Sequence, residues 1–578
     1  MELFHNLIFG FSVAFSLQNL LYCFIGCLLG TLIGVLPGIG PLATIAMLMP
    51  ITFTLSPTAA LIMLAGIYYG ASYGGSTTAI LVNLPGETSA VVTCIDGYQM
   101  ARQGRAGAAL AIAALGSFFA GTVCTLLIAL FGPPIAVMAL KFGPAEYFSL
   151  MMMGLVTAAV LAHGDMVKSL AMVVMGLLLG SVGSDVDSGV KRFTFDMIEL
   201  ADGIGFVVLA VGMFALGEII ANLGDPEERT VFTSRVTNLF PTRDDLKRSF
   251  GPIVRGTVLG AFFGVLPGTG PAIASFSSYM VEKKLAKDPS RFGNGAIEGV
   301  AGPESANNAD AQCKFIPMLT LGIPASGVMA LMLGALTIHG ITPGPQVMMK
   351  NPDLFWGLIA SMWIGNLMLV LLNLPLIGLW VSLLKVPYRL LFPAILVFSA
   401  IGIYSINSSS FEIYLTALFG VLGFMWMKLE CSLAPLLLGF VLGPMMEENM
   451  RRAMLISRGD PFVFFTRPIS LAFVIATVLI VVVMVAPAVR KRRGEALPGR
   501  GGVDGAPAAA PPRLVREGGN EGQRRARAPG EQAGGDVAQV GGVAGVLVRQ
   551  EGPQSHGRRG IRLTADLSTN EIKNGVPR

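Results

Sequence analysis

Apolar runs of about twenty residues, the length a bilayer requires, follow one another along most of the chain. The first six are Leu7 to Leu36, Leu55 to Leu84, Ala106 to Leu140, Tyr147 to Leu161, Ser169 to Val186 and Gly203 to Leu223. A second series holds Ile253 to Val281, Phe315 to Ile341, Leu354 to Leu384, Phe392 to Ile406, Ile413 to Met427, Leu433 to Met446 and Ile469 to Val489. The pattern predicts an all-α polytopic membrane protein with roughly 10–13 membrane segments, some of them hairpins, because window counting blurs re-entrant segments.

Two runs are interrupted at matching places. Gly34 to Pro41 reads G-V-L-P-G-I-G-P and Gly264 to Pro271 reads G-V-L-P-G-T-G-P, 230 positions apart with seven of eight residues shared. Pro removes a backbone donor and Gly frees the dihedrals, so a helix breaks at each copy. Unpaired backbone at membrane depth is tolerated only where it is buried in protein or lines a polar cavity. Gly40-Pro41 and Gly270-Pro271 are expected to start fresh helices, with free N–H groups that attract anions. Matching breaks in two halves point to the site of a repeat-built secondary transporter.

Each half carries a second break. Tyr68 to Ser89 is rich in small and hydroxyl residues, including Ser76, Thr77 and Thr78, and ends in Asn83-Leu84-Pro85-Gly86-Glu87. Its counterpart is Leu321 to Gly327, with Pro324 lying 239 positions after Pro85, which is the 230 offset plus nine inserted residues. A glycine packing seam with hydroxyls bonded back to their own helix is the alternative for the first stretch. The most polar membrane-adjacent stretch runs from Gly299 to Lys314. Its Asn307 and Asn308 offer carbonyls for a hard cation such as sodium and amide N–H groups for a carboxylate; a capping role for Ser305 or Asn307 is the alternative. Asp310 and Lys314, four apart, either pair with each other or leave Asp310 to carry a proton.

The candidate substrate-binding set is therefore Pro37, Gly38, Gly40, Ser76, Thr77, Asn83, Gly86, Pro267, Gly268, Thr269, Gly270, Asn307, Asn308 and Ser326. Coupling-ion candidates are Asn307, Asn308 and Asp310. No well-placed Lys or Arg is evident at the breaks, so helix dipoles and co-bound cations would balance an anion's charge. The intervening Leu110 to Leu223 reads as scaffold with corners at Gly132-Pro133-Pro134 and Gly143-Pro144. Glu218 there reads as a snorkelling interfacial group in preference to an intramembrane functional one. His163, Asp165, Asp185 and Asp187 read as wet loop residues, and Glu447, Glu448, Arg451 and Arg452 as an interfacial salt-bridged helix.

Composition supports this class: 53% of residues are hydrophobic and 13% charged, where a soluble protein carries about 25% charged. The chain divides into a first transmembrane half at 1–223, a charged linker at 224–250, a second half at 251–489 and a tail at 490–578 that is too polar and glycine-rich to bury a core. Basic residues between Gly224 and Arg255, and Arg490-Lys491-Arg492-Arg493, place the linker and the C-terminus in the cytoplasm by the positive-inside rule. The tail's Arg524-Arg525-Ala526-Arg527 could touch anionic lipid. No Lys or Arg precedes Arg102, so the first run is expected to be a retained span and not a signal peptide. The six cysteines read as small buried hydrophobes and not as a metal or disulfide framework. The repeated glycine motif lacks the Lys-Ser/Thr of a phosphate-binding loop, and nothing points to a nucleic-acid partner.

The two G-V-L-P-G-x-G-P copies, P-E-S-A-N-N-A (Pro303 to Ala309), L-T-L-G-I-P (Leu319 to Pro324), H-G-I-T-P-G-P (His339 to Pro345) and L-G-P-M-M-E-E-N-M-R-R-A (Leu442 to Ala453) closely resemble the large permease subunit of tripartite tricarboxylate transporters, the TctA type, from about Leu7 to Pro487. The resemblance implies a bacterial inner-membrane secondary transporter, not an enzyme, that takes up citrate or related carboxylates. It would be driven by a sodium or proton gradient with no other cofactor. It also implies a small membrane subunit and a periplasmic solute-binding protein as partners. Ala325 stands where that family is expected to have Gly, and the tail has no counterpart. The main alternative function is an anion channel built on the same breaks; a second is an intramembrane hydrolase using Ser326 with His339.

Overall fold

The computed structural model describes residues 2–36, 40–83, 87–162, 165–185, 188–223, 239–266, 269–383 and 388–496. Pro37, Gly38, Gly86, Pro267, Gly268, His163, Asp187, most of the linker and nearly all of the tail lie outside the described residues. The helices of the first part are α1 (Glu2–Ala14), α2 (Leu17–Gly34), α3 (Pro41–Thr52), α4 (Pro57–Val82), α5 (Val91–Arg102), α6 (Ala106–Ala139), α7 (Pro144–Leu161), α8 (Met166–Gly180), α9 (Phe206–Ala210) and α10 (Gly217–Leu223). Those that follow are α11 (Arg243–Val265), α12 (Pro271–Leu285), α13 (Glu298–Cys313), α14 (Phe315–Leu321), α15 (Gly327–Ile338), α16 (Gln346–Lys350) and α17 (Pro352–Asn373). The last are α18 (Ile377–Leu383), α19 (Tyr388–Asn407), α20 (Ser410–Lys428), α21 (Leu433–Ile456), α22 (Val463–Thr466) and α23 (Pro468–Ala496). A two-residue hairpin pairs Gly183–Ser184 antiparallel with Lys191–Arg192.

Local chemistry sets many of these boundaries. Pro occupies the first helical position of α3, α4, α7, α12 and α17, where its missing N–H costs nothing and its φ is already helical. Ser16 and Ser56 cap α2 and α4, and Thr242 with Asp245 forms a capping box on α11. The expected corner at Gly132-Pro133-Pro134 is instead inside α6, which runs straight through it. Membrane helices tolerate such prolines because neighbours and local adjustments re-satisfy the freed carbonyls.

Among the described residues, five helices are long and apolar enough to cross a bilayer: α2, α6, α7, α17 and α20. The breaks cut other apolar runs into short pieces. α3, with 12 residues, reaches about 18 Å at 1.5 Å per residue, short of a hydrocarbon core of about 30 Å. Large apolar side chains such as Leu17, Phe131, Val258, Leu371, Val421 and Val483 are exposed on the outside of the helices, the surface a lipid environment would cover. α4 lies deep inside: of its 26 residues only Pro57 is not buried.

Two seams fix the centre. A Cβ at Gly26, Gly30 or Gly34 of α2 would collide with the backbone oxygens of Met63, Ile67 and Ala71 of α4. A Cβ at Gly256, Gly260 or Gly264 of α11 would collide in the same way with the oxygens of Gly302, Ala306 and Asp310 of α13. The glycines of the two seams are 230 positions apart and their partners 239. Backbones this close need glycine on the approaching face, the mode by which membrane helices pack without a hydrophobic drive.

Candidate functional site

α4 and the run formed by α13 and the following α14 end alike. Asn83 closes α4 with a left-handed φ of 59°, and Gly322 closes α14 with φ 72°, again 239 apart. Gly takes this conformation without steric cost and Asn tolerates it better than most residues. Asn83 is exposed, so it serves as a helix terminator away from the polar nucleus. After each terminator the chain is extended, at Glu87 and at Ser326. Ser326 then caps α15 by accepting from the Met329 amide at 3.4 Å. His339 sits at the other end of α15, about 20 Å from Ser326 at helical rise, so the two cannot form a nucleophile–base dyad.

α13 is the anomaly of the fold. Fifteen of its 16 residues are buried, yet they include Glu304, Ser305, Asn307, Asn308, Asp310 and Gln312. Buried polar groups need partners, and those of α13 come from elements far away in sequence. Glu304 accepts from Ser76 Oγ of α4 at 2.6 Å and from the Thr93 hydroxyl of α5. Asn307 Nδ2 donates to Glu87 Oε1 at 3.0 Å, and Glu87 also accepts from the Ser89 hydroxyl. Asn308 Nδ2 donates to Ser117 Oγ of α6 at 2.6 Å and back to the Glu304 carbonyl at 3.1 Å. Ser305 and Asn307 are thus mid-helix residues and cap nothing. Lys314, wholly buried, forms an ion pair with Asp310 one turn earlier, and its charge lies within electrostatic reach of Glu87.

Several polar atoms in this nucleus have no hydrogen-bond partner among the described residues: Tyr69 Oη, Tyr73 Oη, Asn307 Oδ1, Asp310 Oδ1, Gln312 Oε1 and Asn373 Oδ1. Tyr73, Ser76, Thr77, Ser117, Glu304 and Asn373 line one narrow cavity of about 20 Å³, room for a water-sized group. Thr77 also bonds back to the Tyr73 carbonyl at 3.3 Å. Thr77 therefore follows the back-bonding alternative, whereas Ser76 does so and also reaches across to Glu304.

The breaks pair crosswise. Leu42, just inside α3, packs on Gly327 at the second break of the other half, while α12 packs against the Thr88–Ala90 turn that follows Glu87. Neither Gly40 nor Gly270 is capped by a side chain of its own. Thr269 is turned away from the gap, donating to the carbonyls of Phe263 and Leu266 at 2.5 and 2.8 Å. At Gly40 the protein supplies an anion itself: the amide donates to Glu218 Oε1 at 3.4 Å. Glu218 thus points inward and does not snorkel, because an uncapped helix start attracts negative charge. It stands on α10, directly after a π-helical turn over Val211–Leu216, an irregularity frequent at functional sites.

Polar groups outside the membrane segments form a separate network. Arg451 of α21 donates to Asp185 Oδ2 and to Glu447 Oε1 at 2.7 Å each, and Arg192 of the hairpin donates to Glu447 Oε1 at 2.8 Å. Bonds from the Ser188 amide first, then from Arg451, hold the Asp185 carboxyl well below the usual range. The expected pairs Glu447–Arg451 and Glu448–Arg452 are both made. Cys23 and Cys27 face the carbonyls of Ser361 and Gly365 of α17 at 3.8 and 3.7 Å, as small packing residues with weak donors.

Glu304, Glu87, Thr93 and Ser117 were not among the residues singled out by sequence. Glu304 had a signal, since an acid in an apolar surrounding is a functional candidate by default; Thr93 and Ser117 had none.

An all-α, multi-pass membrane protein with crosswise helix breaks around a buried polar nucleus has the build of a secondary transporter. The chain belongs to the tripartite tricarboxylate transporter TctA family, whose family model matches residues 20–438. That is a family of transporters, not of enzymes. The chain is 61% identical over 495 residues to an Agrobacterium vitis protein described as "Uncharacterized 52.8 kDa protein in TAR-I ttuC' 3'region", an alignment covering 86% of this chain and 99% of that one. It is 59% identical over 236 residues to a second A. vitis protein, "Uncharacterized protein in TAR-II ttuC' 3'region", covering 41% of this chain and 98% of the relative. No solved structure matches it.

Proposed function

We propose that this chain is the large permease subunit of a binding-protein-dependent transporter in the bacterial inner membrane, which takes up citrate or related carboxylates by alternating access, coupled to sodium or protons. The observation that carries the reading is α13, a polar helix held almost wholly out of water between the two breaks. Burying so many polar groups costs free energy unless they are matched, and the unpartnered Asn307 and Tyr73 oxygens leave capacity for a guest. A carboxylate entering hydrocarbon needs donors to replace its water. The Asn307 and Asn308 amides, the Ser76 and Thr77 hydroxyls, the starts of α3 and α12 and the Lys314 ammonium are the donors for that task, exchanging their present internal partners for the substrate as it loads. The cavity is far too narrow for a six-carbon acid, so loading requires it to widen, which favours a carrier over an open anion channel.

A periplasmic binding protein would deliver the substrate, and a small membrane subunit would complete the assembly, with the C-terminus in the cytoplasm. The test is labelled citrate uptake, with a panel of di- and monocarboxylates, into cells expressing all three components, with sodium replaced or the proton gradient collapsed. Uphill accumulation that needs one of the ions supports the reading. Downhill equilibration indifferent to both would replace the carrier with a channel.

A further inference from the structure

The nucleus contains three buried carboxylates, Glu87, Glu304 and Asp310, and one buried ammonium, Lys314, which is already engaged with Asp310. Glu304 and Glu87 lie within reach of each other's charge; neither forms an ion pair among the described residues, and the one ammonium that reaches Glu87, Lys314, is paired with Asp310. An anionic substrate brought beside them adds more negative charge in a region where unpaired charge is expensive. Neutralisation must arrive with the substrate.

The detail at Glu304 indicates what arrives. Ser76 Oγ stands 2.6 Å from Glu304 Oε2 and 3.1 Å from the Ser72 carbonyl. The hydroxyl can therefore donate to the carboxylate, or turn its hydrogen to Ser72 and accept from a carboxylic acid. Glu304 is satisfied in both states without moving a backbone atom. Tyr73 lines the same cavity, is 4% exposed, and its Oη has no hydrogen-bond partner among the described residues. It is an amphoteric group placed to pass a proton or hold a water beside the carboxyl. A sodium ion would draw instead on free oxygens such as those of Tyr73 and Asn373, whereas the two hydrogen-bonding arrangements of Ser76 match the two protonation states of a carboxyl.

We infer that Glu304 is the proton-carrying group of the transport cycle, with Ser76 as its hydroxyl switch and Tyr73 as its contact with the cavity. This rests on the carrier reading above. A proton from the outer aqueous phase binds Glu304 Oε2 as the carboxylate loads, and the same proton leaves to the inner phase after the substrate is released. No other bond changes. The other titratable and charged groups around it are Tyr73 on α4, Glu87 on the turn before α5, Cys94 and Asp96 on α5, Tyr279 of α12, which donates to Asp96, Glu282 on α12 held by Arg255 of α11, and Asp310, Lys314 and Glu298 on or next to its own helix. Of these, Glu282, Glu298 and Asp310 are taken up by ion pairs.

The experiment uses the full chain with its membrane partner in proteoliposomes and the binding protein outside, in sodium-free medium and, in a parallel arm, with an inward sodium gradient and no proton gradient, with labelled citrate and then succinate and malate as probes. The wild type should accumulate label under an inward proton gradient and take up protons with it. Glu304→Gln should lower the ratio of accumulation to carboxylate exchange at least ten-fold, since exchange needs no net proton movement. Gradient-driven accumulation retained by Glu304→Gln, or a wild type driven by sodium alone with no proton uptake, would overturn the inference. If Glu304→Gln loses exchange too, Ser76→Ala decides. Loss of the switch should move the pH of half-maximal accumulation by a unit or more, and an unmoved midpoint would reject the assignment. A wild type that exchanges none of the probes would defeat the carrier reading itself.

Discussion

α4 and α13 occupy equivalent places against α2 and α11, yet one is lined with tyrosines and hydroxyls and the other with acids and amides. Shifted by 239 positions, Ala65, Tyr68, Tyr69, Ala71 and Gly75 of α4 correspond to Glu304, Asn307, Asn308, Asp310 and Lys314 of the second half. The glycine seam constrains only the face that touches the neighbouring backbone. The remaining faces are free to diverge, and all strongly polar positions have collected on one member of the pair. One frame serves as packing in the first half and as chemistry in the second, which is how a duplicated element can keep its geometry while only one copy becomes a site.

The sharpest way to break this comparison is to remove the charge that α4 lacks. Lys314→Met leaves Asp310 buried and uncompensated, and should destabilise the folded protein by about 3–5 kcal/mol. Asp310→Ala combined with Lys314→Met, which restores α4-like chemistry, should regain most of that loss; thermal unfolding in detergent measures both. Next in size, Gly30→Val and Gly260→Val each force a side chain into a facing backbone and should cost about 1–3 kcal/mol. Equivalence of the seams requires the two costs to agree within about 0.5 kcal/mol, the usual scatter for independent sites. A large difference would show that the common spacing hides different packing.

Asn307→Ala removes a donor from buried Glu87, an effect of about 1–3 kcal/mol. Labelled-carboxylate uptake should fall about ten-fold, at 1.4 kcal/mol per decade. Tyr68→Phe, at the equivalent place, should alter uptake less; a Tyr68→Phe loss matching that of Asn307→Ala would show that both helices carry the chemistry. The smallest effect is expected outside the nucleus. Asp185 has its folded pKa depressed by Ser188 and Arg451, so its contribution to stability is present above the unfolded value of about 3.9 and is lost as pH falls through the folded value. Asp185→Asn should remove that acid dependence and leave the α4–α13 region untouched, as followed by unfolding between neutral pH and pH 3.

Much of the frame was readable because it depends on neighbours in the chain. Pro41 and Pro271 had to start helices and a helix had to break at each G-V-L-P-G-x-G-P copy, whereas the close seams at Gly34 and Gly264 and the left-handed ends at Asn83 and Gly322 emerged only from the structure. The same local reasoning erred where a distant group intervened. Gly132-Pro133-Pro134 looked like a corner and is the interior of α6; Glu218 looked interfacial and turns inward to Gly40. It also passed over Glu304 inside the P-E-S-A-N-N-A motif, whereas the expected pairing of Asp310 with Lys314 is made, deep among the polar groups.

The sequence by itself determined the membrane class, the doubled breaks with their 230 and 239 offsets, and the family, since each is written in composition, in proline and glycine, or in motifs a few residues long. Only the tertiary structure decided which groups meet. Ser76 reaches Glu304 across 228 positions, Asn307 reaches Glu87 across 220, and Gly40 reaches Glu218 across 178. A backbone break follows from the chemistry of one or two residues, whereas the partner of a buried polar group follows from how the helices pack, and no short window of the chain contains that information.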